Sequence, residues 1–158
     1  MATALPIPLT PFPWGDIAII LALIALNGVL AMSELAIVSA RRARLESITK
    51  KSQLRGAKTA LLLASNPGRF LSTVQIGITL IGIIAGAYSG ASLGGPVAER
   101  LLLLGVPAQW SNDISFTLVV GLTTFTSLIV GELVPKQFAL RAPEPIAVVM
   151  AMPMVVLS

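Results

Sequence analysis

Histidine and cysteine are both absent from the 158-residue sequence. Their absence removes Ser-His and Cys-His nucleophile pairs, zinc sites of the usual nitrogen or sulfur kind, and any disulfide scaffold. Charge is scarce too: 11% of residues are Asp, Glu, Lys or Arg, against about 25% in an ordinary soluble domain. Aspartate occurs only as Asp16 and Asp113, each flanking an apolar segment, so no pair of catalytic aspartates sits within one. What fills the space is apolar, with 55% AVILMFWYC and a mean hydropathy of +0.88. A water-facing globule, a disordered tail and a nucleic-acid binder are excluded by that balance. The composition describes an integral membrane protein.

Uncharged runs locate the spans. Ile17 to Ala40 carries only Glu34, Phe70 to Ala98 carries no charge, and Ile114 to Gly131 carries none before Glu132. Each is long enough to cross about 30 Å of hydrocarbon as a helix. Spans are therefore expected near 17–40, 70–93 and 114–134, the second ended early by Gly94, Gly95 and Pro96. The third is expected to kink or stop at Pro135. Pro145 to Ser158 is apolar but too short to span and contains Pro153, so it reads as an interfacial or half-inserted belt segment. The fold class is all-α: three transmembrane helices, short amphipathic cytoplasmic helices and a C-terminal juxtamembrane belt, in one domain over 1–158.

All of the eleven basic residues except Arg100 fall on one side of these spans, most of them in the 41–69 loop. By the positive-inside rule the loop and the C-terminus are cytoplasmic and the N-terminus is outside. Trp14 and Trp110 then lie at the outer interface. The opening MATALPIPLT has no basic residue and is not expected to act as a signal peptide. Leu45, Ile48, Leu54, Leu61 and Leu62 among the loop charges predict short helices on the inner lipid surface. Contact with lipid headgroups explains the basic loop better than nucleic acid does. Asn66-Pro67-Gly68 is a turn before the second span.

Polar groups inside the spans carry the functional signal. Asn27, Glu34 and Arg41 follow one another at seven-residue spacing and share a helix face. An acid within a span costs about 2.5–3.5 kcal/mol, so Glu34 is expected to line a site or to pair with a loop arginine. Thr123, Ser127 and Gly131 repeat every four residues towards Glu132, with Thr124 and Thr126 beside them. Such hydroxyls either bond their own helix or form the polar wall of a cavity. Pro135 lacks an N–H and frees the Gly131 carbonyl beside the Glu132 carboxylate, a candidate cation-ligand pair. Gly82, Gly86, Gly90 and Gly94 form a side-chain-free ridge, read first as helix packing within or between subunits and second as carbonyls near a cation site.

The stretches NGVLAMSELAIVSARRARLE from Asn27, NPGRFLSTVQIGITL from Asn66 and GELVPKQFA from Gly131 resemble the CNNM/CorC transmembrane domain. The resemblance runs from Asn27 to near the end of the chain, in the same order and topology. It implies a homodimeric magnesium transporter domain in a bacterial plasma membrane, usually followed by cytosolic CBS domains. The chain stops at Ser158 and is expected to be the membrane domain alone. Ser33, Glu132 and the Gly131 carbonyl match the family's magnesium ligands by motif position. In the second span many members read IGNxLxN, whereas this chain has Ile78 and Gly82 at the two asparagine positions; Gln75 and Thr79 offer partial replacement. This variant resembles a branch for which polyamine export has also been suggested.

The expected function is therefore export of a divalent cation, magnesium first, by alternating access in a homodimer. Ser33, Gly131 and Glu132 would hold the ion, with Asn27, Glu34, Gln75, Thr79, Gly82, Thr123 and Ser127 along the route. Sodium coupling follows only by family analogy. An organic polycation exporter and a non-transporting dimeric anchor are the alternatives. Neither catalysis nor a bound cofactor is expected.

Overall fold

The structure, a computed structural model, describes residues 9–52 and 54–157. Met1 to Pro8 and Ser158 lie outside it, and with them most of the N-terminal stretch read above and the last residue of the belt. Among the described residues all regular structure is helical: α1 (Trp14–Ser39), α2 (Arg42–Ser52), α3 (Arg55–Ser65), α4 (Pro67–Leu103), α5 (Ala108–Leu128), a π-helical turn (Ile129–Leu133), α6 (Val134–Arg141) and α7 (Pro143–Leu157). Three continuous helical segments are long and apolar enough to cross a membrane: Trp14–Ser39, Pro67–Leu103 and Ala108–Arg141.

Two boundaries differ from the sequence expectation. First, α4 passes through Gly94, Gly95 and Pro96 and ends only at Leu103. Side chains take up carbonyls around the proline: Arg100 Nη1 donates to Pro96 O at 2.6 Å, and the Ser115 hydroxyl of α5 donates to Gly94 O. The N–H that Pro96 lacks is the one owed to the Ser92 carbonyl, four residues earlier, and α4 nonetheless continues to Leu103, packed along α5. Second, the third span neither stops nor breaks at Pro135. The chain widens into the π-helical turn just before it and resumes as α6, with Pro135 in the first turn, where a missing N–H costs least.

Helix α1 is central and packs on α4, the π-turn, α6 and α7, while α4 and α5 pair as an antiparallel hairpin closed at Gly105, whose φ of 91° suits glycine. The glycine ridge serves this hairpin at one main point. A Cβ at Gly90 would lie 2.6 Å from the Phe116 ring, whereas Gly82 and Gly94 face open space. At the basic end, α2, α3 and α7 wrap the foot of α1 around buried Ile37, Leu45, Phe70, Ala147 and Met154. Buried Glu144 fixes α7 there, accepting the Arg41 backbone N–H at 3.5 Å and pairing with Arg44 at 3.6 Å. Helix α7 is apolar, too short to cross a membrane, and packed on α1 and α3. Of the leucines among the loop charges, Leu45 is buried, whereas Leu54 and Leu62 are exposed, as side chains turned to a lipid surface would be.

At the opposite end Trp14 and Trp110 begin α1 and α5 and are both exposed. There Glu99 accepts from the Thr10 hydroxyl at 2.7 Å, Arg100 lies over the Phe12 ring, and Tyr88 donates to Asp16 at 2.6 Å. The segment ahead of α1 is thereby clasped to the end of α4.

Candidate functional site

Near the middle of α1, Asn27 is 3% exposed and turns its side chain towards the π-turn. Its Nδ2 donates to the Gly131 carbonyl at 3.2 Å, so the carbonyl expected to be freed by Pro135 is met by an amide from another helix. Helix and turn approach this closely because neither contact residue has a Cβ. At Gly131 a Cβ would lie 3.0 Å from the Ile24 carbonyl, and at Gly28 it would lie 3.0 Å from the Pro135 ring. Asn27 Oδ1, the other end of the amide, is buried without a hydrogen-bond partner. In an apolar interior such an acceptor is costly and points to a ligand or water that completes it.

Asn27 opens onto a cavity of about 220 Å³ between α1, α4 and α5. Its polar lining is Asn27, Gln75, Thr79, Thr124, Ser127 and Glu132, with Ile78, Gly82 and Leu128 as apolar wall. The two positions where the family motif has asparagine, Ile78 and Gly82, are both part of that wall. Thr79 bonds its own helix, giving its hydroxyl to the Gln75 carbonyl at 2.9 Å.

Glu132 stands at the edge of the cavity and faces a cation of the chain itself. Lys136 Nζ donates to Glu132 Oε1 at 2.7 Å and lies 3.7 Å from Glu34 Oε2, which is buried with no hydrogen bond of its own. The salt bridge expected from Glu34 to a loop arginine is made instead to this lysine on α6. Asn27 and Glu34 do share the face that the seven-residue spacing predicted: the first reaches the π-turn and the second reaches α6.

The remaining sequence candidates divide. Gln75, Thr79, Gly82 and Ser127 line the cavity, and Gly131 and Glu132 flank it. Thr123 is buried, but it lines a separate apolar pocket with Ile20, Ile24 and Leu93; its neighbour Thr124 occupies the place proposed for it. Ser33 is fully buried on another face of α1, donating to the Leu30 carbonyl at 2.8 Å and lying 3.3 Å from the Met154 sulfur. Neighbouring helix residues point about 100° apart, so Ser33 turns to α7 while Glu34 turns to α6. The structure therefore does not bring Ser33 together with Gly131 and Glu132. Sequence reasoning missed Gly28 and Lys136, and named Thr124 only beside the Thr123–Ser127 stripe. The Asn27-Gly28 pair was a usable signal for close backbone approach, whereas Lys136 was read only as a topology charge.

A family model described as the cyclin M transmembrane N-terminal domain matches residues 18–158. Among curated proteins, the chain is 50% identical over 132 residues to a UPF0053 protein of Synechocystis, covering 84% of this chain and 29% of the relative. It is 37% identical to the UPF0053 protein YhdT of Bacillus subtilis, covering 84% and 28%. It is 30% identical to a protein of Escherichia coli named polyamine export protein, covering 89% and 31%. The chain thus spans less than a third of the length of these relatives.

Proposed function

The chain belongs to the cyclin M (CNNM) transmembrane-domain family, and from that premise we propose that it is the membrane domain of a secondary transporter for cations, working by alternating access as a homodimer. The substrate class the site supports best is an organic cation with primary ammonium heads, a polyamine. The observation that carries this reading is the ammonium already in place: a lysine Nζ bonded at 2.7 Å to Glu132, at the edge of a cavity with mixed polar and methylene-compatible walls. An ammonium needs a few acceptors and tolerates apolar contact along its chain, which Ile78, Gly82 and Leu128 provide. Relatives named polyamine export proteins support the same assignment.

Magnesium is the second reading, favoured by the hard oxygens of Glu132, the Gly131 carbonyl and Asn27 Oδ1. A dehydrated magnesium asks for near-octahedral oxygen ligation. Ser33 turns to α7 and Ile78 and Gly82 carry no side-chain oxygen, so a magnesium here would draw on the Gln75, Thr79, Thr124 and Ser127 oxygens or on retained waters instead.

Support for the homodimer comes from the outer face of α4. Ser72, Gln75 and Thr79 are exposed there on a helix long and apolar enough to span. Ser72 and Thr79 give their hydroxyls to their own helix, so the Gln75 amide is the group on this face that calls for a partner on a neighbouring helix or in a water-filled route rather than in lipid.

Calorimetric titration with spermidine and with magnesium, for the protein in lipid nanodiscs, tests the assignment. Spermidine is expected to bind, and Glu132→Gln is expected to weaken it about tenfold or more while the melting temperature is kept. Unchanged binding in the variant overturns the site, and binding of magnesium alone puts the second reading first.

A further inference from the structure

Lys136 is the least expected member of the site, and its surroundings are built for more than one amine. Two carboxylates, Glu34 and Glu132, share one lysine, so the cluster carries a net negative charge. Their side chains are mostly withdrawn from solvent, at 18% and 28% exposure, and that of Lys136 is at 28%. Glu34 Oε2 and the amide oxygen of Asn27, itself 3% exposed, are buried acceptors without a hydrogen-bond donor. Lys136 thus occupies the site without completing it. Its own tether is a flexible four-carbon stem on α6, the short helix that continues the third span towards the basic end of the molecule.

We propose that Lys136 is a tethered competitor for the cation site: the head of an incoming cation displaces Nζ from Glu132, Lys136 swings away from the cavity, and its return expels the cation. This rests on the cation-transport reading above and adds how the site is emptied. The exchange has a physical reason. Two carboxylates left bare in an apolar interior are strongly disfavoured. Handing them from substrate to lysine keeps a cation on them throughout the cycle, whereas simple dissociation would not. A lysine suits the task because its ammonium is a compact, freely rotating charge. An arginine would clamp Glu132 through two parallel hydrogen bonds.

The test is spermidine affinity together with maximal flux, measured for the whole protein in liposomes with wild type, Lys136→Met and Lys136→Arg. Removing the competitor in Lys136→Met is expected to tighten spermidine binding about tenfold or more and to slow maximal flux, because nothing expels the substrate. Lys136→Arg is expected to weaken binding. A lysine that only props up the fold would instead lose affinity and flux together. Unchanged or weaker binding in a folded Lys136→Met overturns the proposal. If that variant does not fold, Lys136→Arg decides: weaker binding supports the competitor, and unchanged binding overturns it. Binding of neither spermidine nor magnesium by wild type and both variants overturns the transport reading itself, and the competitor with it. Wild-type binding with the wrong shift in the variants overturns the competitor alone.

Discussion

Gly90 and Gly82 belong to one four-residue repeat and do opposite things. At Gly90 an added methyl would meet the Phe116 ring at 2.6 Å and Val120 at 2.9 Å, so Gly90→Ala overpacks the α4–α5 hairpin. The expected loss is about 1–3 kcal/mol, read as a lower midpoint of denaturant-induced unfolding. At Gly82 the methyl enters open space beside the cavity. Gly82→Ala should leave that midpoint unchanged and weaken spermidine binding by about two- to threefold, under 1 kcal/mol. Equal midpoints for the two variants would contradict the division. The sequence repeat could not separate these residues, because spacing reports which residues share a face and not what stands opposite. The same limit explains the other residue-level outcomes. Asn27, Glu34 and Glu132 were legible because a polar group within a span demands a partner. Lys136 was not, because a basic residue after a span already has a reason to be there in topology.

Among the elements, the π-turn sets the site. A proline ring collides with the carbonyl four residues earlier when the helix is regular; here that carbonyl belongs to Gly131, and the turn widens beside Asn27. Pro135→Ala restores the N–H and removes the collision, so Ile129–Leu133 is expected to relax towards a regular helix. Amide hydrogen exchange across this stretch should slow and spermidine affinity should fall. Unchanged exchange and affinity would show that the turn does not depend on the proline. Helix existence and order were readable from uncharged runs and amphipathic spacing: α1, the short helices of the basic loop and the apolar α7 all appear where expected. Helix ends were less readable. Gly94-Gly95-Pro96 looks like a stop in one dimension, yet α4, packed along α5, runs through it to Leu103.

For the molecule as a whole, the dimer and the transport cycle remain the proposals to test. The sequence has no cysteine, so single cysteines can be introduced on a clean background. Thr79→Cys lies on the exposed polar face of α4 and is expected to cross-link to a second copy in membranes. Leu62→Cys on α3, at 69% exposure, is expected not to. The reverse pattern would move the interface. If Glu132 and its cavity hold a cation in passage, labelled spermidine should cross liposomes containing the protein. Time-dependent flux is expected in wild type, with its near loss in folded Glu132→Gln. Equal flux in the two proteins, or none in folded wild type, would contradict that role.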